Sequence, residues 1–305
     1  AMGQLDNTLV MYIAGDNGAS LEGDIEGKFS IQATGNGVRE TTAQMLSHLD
    51  ELGSESTSPQ YPAGWAWAGN TPFQWGKQFA SHLGGTRDPL VVHWPSRIKN
   101  AGGIRGQYHH LIDIAPTLLE AAGLPVPVSV NGVAQKPIDG VSMLYTFDNA
   151  SAPDRHTTQY YETFANRSIY QDGWVAAARS GRVPWIKTGE FDFEKQPWEL
   201  YQISQDYSQA TDLAAAQPGR LDAMQKLFLA EARKFQVLPL DPRSNERISP
   251  QLRPSLTPGR KVFTYYGSQL NLYDSLAPQV RNQSHTISAE IVVPKNGGDG
   301  VIVSA

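Results

Sequence analysis

The most informative absence from this chain of 305 residues is cysteine, of which it has none. Disulfide bonds, zinc–thiolate sites and a thiol nucleophile are therefore excluded, although the absence does not identify a compartment. Runs of Lys and Arg are also absent and the formal net charge is −5, so a nucleic acid partner gets no electrostatic support. No apolar run approaches the roughly 20 residues that a membrane span requires.

What is present is typical of a globular protein, with 40% hydrophobic and 18% charged residues. A chain of this kind buries at least one substantial core. A nearly continuous apolar run at 7–14 predicts a strand buried on both faces of a parallel or mixed sheet, and a second such strand is predicted at 90–94. Because ligand sites lie at the carboxyl ends of such strands, the residues just after 7–14 are the first candidates for a site.

Helices are predicted at 39–52 and 114–122, where apolar residues recur at helical spacing. The second helix has marked ends, because Asp113 is placed to cap its first turn and Gly123 to stop it. Together with the two buried strands, these helices predict an α/β unit over residues 6–150.

The rest of the chain predicts two further regions. Residues 151–240 are expected to form a small antiparallel sheet covered by a helix, and the predicted elements are strands 159–164, 173–180 and 198–203 and helix 220–235. Residues 241–305 begin with a proline-rich linker and continue as the start of a truncated all-β region. Its strand-like stretches are 261–266, 288–293 and 301–304.

Asp16 and Asn17 come directly after the first predicted strand and before Gly18. Their side chains are therefore expected to project into the crevice at the carboxyl end of that strand. A carboxylate and an amide carbonyl are hard oxygen ligands that suit Ca²⁺ or Mg²⁺ better than zinc. The alternative is a simple Asn-Gly turn, and the tripeptide alone leaves both interpretations open.

Four further segments follow in the order and at the distances of a known family. They are Asn-Thr-Pro-Phe-Gln-Trp-Gly-Lys at 70–77, Gly-Gly-Thr-Arg-Asp-Pro at 84–89, Tyr-His-His-Leu-Ile-Asp-Ile-Ala-Pro-Thr-Leu-Leu at 108–119 and Trp-Glu-Leu-Tyr at 198–201. With the residues at 16–18, they resemble type I sulfatases, most closely the large bacterial arylsulfatases that carry an extra C-terminal β region. The likeness runs from Asp6 to the end. It implies the C-terminal part of an alkaline-phosphatase-like mixed sheet.

The resemblance implies that Asp16 and Asn17 are two ligands of a single divalent metal, usually Ca²⁺, with Mg²⁺ as the alternative. The other metal-binding carboxylates of the family come from an N-terminal segment that these residues do not contain. The resemblance also implies that Lys77 is a catalytic and substrate-binding residue whose ammonium reaches the sulfate group. There it would stabilise negative charge on the sulfuryl oxygens and on the leaving phenolate. The expected substrate is a small sulfate ester.

The nucleophile of the family is a formylglycine made from Cys or Ser in a Cys/Ser-x-Pro-x-Arg signature. One literal serine match occurs at 151–155, Ser-Ala-Pro-Asp-Arg. It lies downstream of the metal-binding strand and leads into a predicted strand, whereas the family signature lies upstream and enters a helix. We therefore expect the formylglycine to lie outside this chain and the isolated chain to be inactive. Its partner would be the N-terminal sulfatase segment, and core surface exposed without it would favour self-association. Bacterial cytoplasm and periplasm both stay open.

Other residues near these motifs carry further predictions. His82 lies five residues after Lys77 and is a candidate substrate-binding side chain. Arg87 matches a family position and is expected to brace its loop by pairing with a carboxylate or with carbonyl groups. His109 and His110 are expected to pack or to stand at helix-entry positions rather than to act as paired ligands, because adjacent side chains diverge.

Two clusters beside Lys77 are predicted to be structural or solvated. The tryptophans are expected to pack in the core, with stacking on an aromatic sulfate ester as the alternative, and they are Trp65, Trp67 and Trp75. The acidic residues are expected to form a solvated loop face, and they are Glu22, Asp24 and Glu26.

Two other functions stay open at this point. A phosphatase or phosphodiesterase of the same superfamily shares the metal geometry at the strand end, but its two-metal site normally requires histidines that the sequence around Asp16 does not offer. The other is a non-catalytic interaction module that has kept the fold and lost the chemistry.

Overall fold

The computed structural model describes residues 3–31, 38–186, 191–243, 259–266, 277–278, 280 and 284–302. The chain divides into two compact units, Ala1–Arg243 and Ser244–Ala305. The candidate site residues all lie in the first unit. The boundary predicted inside that unit, at residue 150, stays a prediction.

The first strand, β1 (Val10–Ile13), pairs with β2 (Leu90–His93). The two are antiparallel, with Val10 opposite His93. One face of this ribbon packs through Met11 and Val92 against a buried apolar cluster, while Tyr12 on the other face is 64% exposed. The prediction of a strand buried on both faces in a parallel or mixed sheet was therefore wrong for the described residues. No third strand among them pairs with the ribbon, so alternate side chains reach solvent.

Between β1 and β2 the described residues include three short helices, α1 (Thr42–Ser47), α2 (Ala63–Asn70) and α3 (Leu83–Thr86). The helix predicted at 39–52 is much shorter than expected. A capping box of Thr41 and Gln44 starts α1, but the chain leaves helical geometry at His48 and continues as a 3-10 turn at Leu49–Glu51. The apolar residues that suggested a longer helix are mostly exposed, so no packing extends it.

The helix predicted at 114–122 is confirmed as α4 (Ile114–Ala121). Gly123 follows it with φ +67°, the left-handed conformation that ends many helices. Asp113 occupies the N-cap position as predicted, but its side chain makes no capping hydrogen bond to α4. A short hairpin of β3 (Ser129–Val130) and β4 (Val133–Ala134) follows. The next helix, α5 (Leu144–Phe147), supplies the apolar cluster beneath the β1–β2 ribbon.

The second half of the first unit is a four-stranded antiparallel sheet covered by one long helix. Its strands follow chain order and are β5 (Thr158–Thr163), β6 (Asn166–Gln171), β7 (Trp174–Ala178) and β8 (Glu199–Tyr201). The helix is α6 (Pro218–Lys234), which begins with proline in its first turn. Ile169, Leu200, Met224 and Phe228 lie in the core between sheet and helix. The predicted sheet and helix are confirmed, but β6 was missed.

The described residues of the second unit form neither helix nor strand. The strands predicted at 261–266 and 288–293 were therefore wrong, and side chains such as Val292, 95% exposed, have no sheet to pack on. The strand predicted at 301–304 and most of the proline-rich linker lie wholly or partly outside the described residues. Within the described part of the chain, no helix is long and apolar enough to cross a bilayer.

Candidate functional site

Asp16 and Asn17 follow β1 at a sharp change of direction. Gly15 adopts φ +96°, a conformation that side chains rarely allow. Asp16 is exposed and Asn17 is half-buried. Burial raises the pKa of Asp88, and the negative charge of nearby Asp16 raises it further. Two carboxylates therefore approach each other at the end of β1, where added negative charge is unfavourable and a cation would be favoured.

Asn70, at the end of α2, joins three loops around this point. Its side-chain oxygen accepts a hydrogen bond from the Ala19 amide at 3.1 Å. Its side-chain nitrogen donates to the carbonyl of Trp75 at 2.7 Å and to that of Gly84 at 2.6 Å. One half-buried amide therefore holds together the loop after Asn17, the loop before Lys77 and the start of α3.

Glycines allow these loops to approach closely. A Cβ atom on Gly18 would collide with the carbonyl oxygen of Gly84, and one on Gly84 would collide with the carbonyl oxygen of Gln74. Backbone lies against backbone at both places, so a larger residue has no flexible neighbour to displace. The Gly-Gly pair at 84–85 is thus required by packing of the loops around Asn70.

Lys77 lies at the rim of this assembly. Its amide donates to the carbonyl of Ala19 at 3.1 Å, and its half-exposed ammonium lies 2.9 Å from Glu22 Oε2. Trp75 and Gln78, on either side, have φ values of +64° and +79°. Positive φ is uncommon outside glycine and persists only where the surrounding structure holds it. The loop therefore presents the Lys77 side chain in a defined direction.

Glu22 is bound on both carboxylate oxygens. Gln78 Nε2 donates to Oε1 at 2.7 Å, while Oε2 accepts from Lys77. Burial alone would raise the pKa of Glu22, but the hydrogen bonds from Lys77 and Gln78 lower it below its usual range. The predicted solvated loop face was wrong for this residue. It was also wrong for Asp24, which pairs with Lys28 at 3.4 Å, whereas Glu26 is exposed as predicted.

His82 lies beneath the loop and away from solvent, with 2% of its surface exposed. Its Nδ1 lies 2.9 Å from Ser81 Oγ, and its Nε2 lies 3.2 Å from Glu199 Oε2. Both nitrogens of the buried His82 ring therefore have protein partners, and the ring has a structural role in the Lys77 loop. The structure thus gives no support to direct contact between His82 and a substrate.

The tryptophans beside Lys77 divide into two groups. Trp75 stacks on Phe79 with ring centroids 4.4 Å apart, and the guanidinium of Arg179 lies 4.7 Å from the Trp75 ring centroid. Trp67 meets the edge of Trp75 at 5.6 Å. Trp65 is 72% exposed. The core interpretation therefore holds for Trp75 and was wrong for Trp65.

Arg87 braces its loop by a different contact from the one predicted. Its guanidinium lies over the ring of Phe73, 5.2 Å from the centroid. A cation over an aromatic face is attracted by the ring quadrupole. The predicted structural role fits this position, and the expected carboxylate or carbonyl partner is not found among the described residues.

Asp113 is the centre of a separate buried polar cluster. His109 Nδ1 lies 3.0 Å from Asp113 Oδ2, and His156 Nδ1 lies 2.8 Å from Oδ1. The amides of His110 and Val141 also donate to this carboxylate. Burial alone would raise the pKa of Asp113, but these hydrogen bonds lower it well below its usual range.

No sequence pattern predicts this cluster, because His156 lies 43 positions from Asp113. His109 and His110 were expected to pack or to stand at a helix entry, and this is confirmed: His110 is the N-cap of the 3-10 turn Leu111–Asp113. Both residues contact the Asp113 carboxylate, through a side chain and an amide respectively. Burial would lower the pKa of His156, but the hydrogen bond and charge of Asp113 raise it overall. Burial lowers the pKa of His110, and the nearby His156 lowers it further.

Two models of known protein families match this chain. The sulfatase family model matches residues 1–124, and the model for the C-terminal region of N-sulphoglucosamine sulphohydrolase matches residues 75–228. The chain belongs to the sulfatase family. Its helices and small antiparallel sheets are those of a C-terminal sulfatase portion, as predicted, although the described strands pair antiparallel and form no mixed sheet.

Individual sulfatases show the same relationship. The chain is 29% identical over 230 residues to an uncharacterized sulfatase of Schizosaccharomyces pombe, covering 75% of this chain and 38% of that protein. It is 24% identical over 239 residues to an N-acetylglucosamine-6-O-sulfatase of Bacteroides thetaiotaomicron, covering 74% and 41%. The solved structure Ps i-CgsB is 19% identical and covers 81% of this chain and 41% of its own, with a TM-score of 0.49. The chain thus spans about two fifths of the length of the curated relatives it matches.

In this sulfatase, the residues at the end of β1 fit part of a site for a hard divalent cation. Asp16 and Asn17 offer oxygen donors, and the unfavourable approach of Asp16 to Asp88 is of the kind that a cation relieves. Among the described residues, however, no three His, Asp or Glu side chains are grouped so as to hold a metal ion. The described part of the chain therefore contains no complete ligand set, and metal binding at Asp16 and Asn17 stays a prediction.

The serine of the 151–155 match has a local structural role in this sulfatase. Its hydroxyl donates to Asn149 Oδ1 at 3.2 Å in an exposed turn. The guanidinium of Arg155 lies 4.4 Å from the Tyr145 ring centroid, and the chain then enters β5. The match at 151–155 therefore leads into a strand, as predicted, whereas the nucleophile signature of the family enters a helix.

Proposed function

We propose that this chain forms one wall of the active site of a sulfuric ester hydrolase, an arylsulfatase. The observation that carries the proposal is the placement of Lys77 on a loop that Asn70 and Ala19 join to the Asp16–Asn17 turn. Family membership supplies the reaction class, sulfate ester hydrolysis. The geometry joins the loop of Lys77 to the loop after Asn17, through the Lys77 amide on the Ala19 carbonyl and the Ala19 amide on Asn70.

Lys77 would donate to a sulfuryl oxygen of the substrate. A fixed ammonium stabilises negative charge that increases on the sulfate group and on the leaving oxygen as the S–O bond breaks. Asp16 and Asn17 would hold Ca²⁺ or Mg²⁺ through their side-chain oxygens. When bound, such an ion polarises the sulfate group as a Lewis acid.

This chain has no Cys or Ser in the position expected for the nucleophile. Cysteine is absent, and the only literal serine match lies in an exposed turn before β5. We propose that a formylglycine from an N-terminal sulfatase segment attacks sulfur and that this chain alone does not turn over. Without an attacking group, no covalent intermediate can form.

The organic part of the substrate is proposed from the family as a small sulfate ester. An aryl ester is the expected class, and the B. thetaiotaomicron relative is named for a sulfated amino sugar. Exposed Trp65 and Trp67, on the helix that precedes the Lys77 loop, would suit either an aromatic ring or a sugar face.

An assay with matched aryl sulfate and aryl phosphate esters tests the proposal. The chain alone should hydrolyse neither, and the protein that also carries the formylglycine segment should prefer the sulfate ester. In that protein, Lys77→Ala should lower kcat/KM on the sulfate ester by roughly 100-fold, a typical loss for one group that stabilises transition-state charge. Lys99→Ala is the matched control, because Lys99 is exposed in the segment after β2.

Three results would overturn the proposal. Hydrolysis by the chain alone would show that its nucleophile is internal. Preference for the phosphate ester would favour the phosphatase alternative, and equal effects of Lys77→Ala and Lys99→Ala would remove Lys77 from the site.

Self-association is a separate proposal, and one observation supports it, the exposed apolar face of the β1–β2 ribbon. Tyr12 and Val91 are opposite each other on that face, and both are more than half exposed. Apolar surface of this kind commonly marks an interface. Sedimentation at increasing concentration tests it, and self-association that Tyr12→Ser abolishes is the expected result.

A further inference from the structure

Lys77 has one neighbour that the proposed function does not use, the carboxylate of Glu22. The two residues are 55 positions apart in the sequence, yet Lys77 Nζ and Glu22 Oε2 lie 2.9 Å apart. Neither side chain is fully exposed, with 37% of Lys77 and 30% of Glu22 accessible. The contact is therefore a property of the fold and not of adjacent surface charges.

The Glu22 carboxylate is itself fixed before it meets Lys77. Gln78 Nε2 donates to Oε1 at 2.7 Å, and the ammonium of Lys28 donates to the Glu22 backbone carbonyl. Leu21, the preceding residue, is 1% exposed in an apolar cluster with Phe79. Glu22 is thus anchored by its backbone, its neighbour and its second oxygen.

An ammonium carries three N–H donors. The contact with Glu22 uses one of them and leaves the others for a substrate. A lysine side chain that is otherwise free samples many rotamers, and fixing it has an entropic cost. A carboxylate that is held in place restricts those rotamers before the substrate arrives.

We infer that Glu22 is a positioning residue for Lys77, holding its ammonium toward the sulfate group of the substrate. This inference rests on the proposed function, because it assigns Lys77 to sulfate binding. It adds a residue that acts through Lys77 without touching the substrate. Gln78 completes the arrangement by fixing the second oxygen of Glu22.

Because Glu22 is negatively charged, its replacement should affect turnover and substrate binding differently. The Glu22 carboxylate restrains Lys77, and it also repels an anionic substrate at short range. Replacing it by Gln, which keeps the shape and one acceptor oxygen, should release the ammonium and remove the repulsion together. Turnover should therefore fall while substrate binding does not weaken.

The test is a double-mutant cycle on the protein that carries the formylglycine segment. Glu22→Gln should lower kcat by roughly 5-fold, since an ion pair of partly exposed side chains contributes modestly, and KM should not rise. In a Lys77→Ala background the same substitution should have no effect on kcat, because its partner is gone. Glu26→Gln is the matched control, since it makes the same change on the same loop at an exposed residue.

A second readout does not depend on activity. In this chain, nuclear magnetic resonance of the lysine ammonium protons should show slow exchange with water for Lys77, faster exchange in Glu22→Gln and no change in Glu26→Gln. Unchanged exchange in Glu22→Gln would overturn the inference. So would an equal loss of kcat from Glu22→Gln with and without the Lys77→Ala substitution, which would indicate a general structural effect. If Lys77→Ala itself leaves kcat unchanged, the proposed function fails instead.

Discussion

The sheet covered by α6 and the loops around Lys77 are held together by different forces. In the sheet region, apolar side chains such as Ile169, Leu200 and Phe228 are almost completely buried against one another. In the loop region, one amide, that of Asn70, joins three backbone segments through hydrogen bonds. The apolar core of the sheet region stabilises the fold, whereas the hydrogen bonds of Asn70 hold the loops in position. Substitutions in the two regions should therefore have different consequences.

The largest effect is expected in the sheet region. Phe228, 1% exposed, packs on the edge of Trp198 with ring centroids 5.6 Å apart. Phe228→Ala should lower the free energy of unfolding by about 4 kcal/mol, because it removes a buried ring and leaves a cavity. Urea denaturation followed by circular dichroism measures this. Leu229→Ala, at a neighbouring position that is 40% exposed, is the control and should change stability little.

A similar loss in both variants would mean that the face of α6 on the sheet is not the one described. A small loss in Phe228→Ala would show that the core can close around the cavity.

The next effect is expected at Asp113, whose carboxylate is completely buried. Asp113→Asn should cost about 3 kcal/mol, because it leaves His109 and His156 without their buried carboxylate. Asp148→Asn is the control, since Asp148 is exposed. The same denaturation experiment at pH 6 compares the two variants, and equal stability of both would contradict a structural role for the cluster.

The cluster also predicts how stability depends on pH. The pKa of Asp113 is lowered in the folded state, so its contribution is present above the usual carboxyl pKa of about 3.9 and is lost as pH falls toward the folded value. The pKa of His156 is raised, so its contribution is present below about 6.5 and is lost as pH rises through the folded value. The lowered pKa of His110 opposes part of the His156 contribution. Asp113→Asn should flatten the acid side of this profile, and an unchanged acid side would refute the assignment.

A smaller effect is expected in the loop region. Asn70→Ala should reduce stability by about 2 kcal/mol, because it leaves partly buried backbone groups of Ala19, Trp75 and Gly84 without a partner. Hydrogen exchange should increase at those three segments and remain unchanged in the four-stranded sheet. Asn100→Ala, at an exposed bend, is the control. Faster exchange throughout the first unit would show that the two regions are not separable.

The smallest effect is expected at Trp65. Its side chain is 72% exposed, so Trp65→Ala should change the free energy of unfolding by less than about 0.5 kcal/mol. Trp75→Ala should cost several times more, because Trp75 stacks on Phe79. Thermal denaturation of the two variants provides the comparison. A large loss for Trp65→Ala would restore the core interpretation for that residue.

The regular elements could largely be predicted where periodicity and end signals agree. Gly123 after α4 and Pro218 at the start of α6 mark helix ends that the structure confirms. The exception is β6, whose buried residues include Asn166 and Ser168. Their side chains donate to the carbonyls of Gln78 and Ala80. A buried strand with polar, tertiary-bonded side chains has no hydrophobic pattern to find.

Only those site residues that belong to short sequence motifs could be predicted. Asp16, Asn17 and Lys77 were found in this way, and their functional roles stay predictions. Glu22 was missed, because its partner Lys77 lies 55 positions away and an acidic residue in a polar loop has no local signal of pairing. The exposure of Tyr12 was missed for a related reason, since an apolar run does not reveal how many strands cover it.

Above all, we propose that the loop around Asn70 presents Lys77 to a sulfate group. A crystal structure of the protein that carries the formylglycine segment, with an unreactive sulfate ester bound, tests it most directly. The predicted result is a hydrogen bond of roughly 3 Å between Lys77 Nζ and a sulfuryl oxygen, with Glu22 still in contact with the ammonium. A bound ester whose sulfate group lies beyond the reach of Lys77 would contradict the claim.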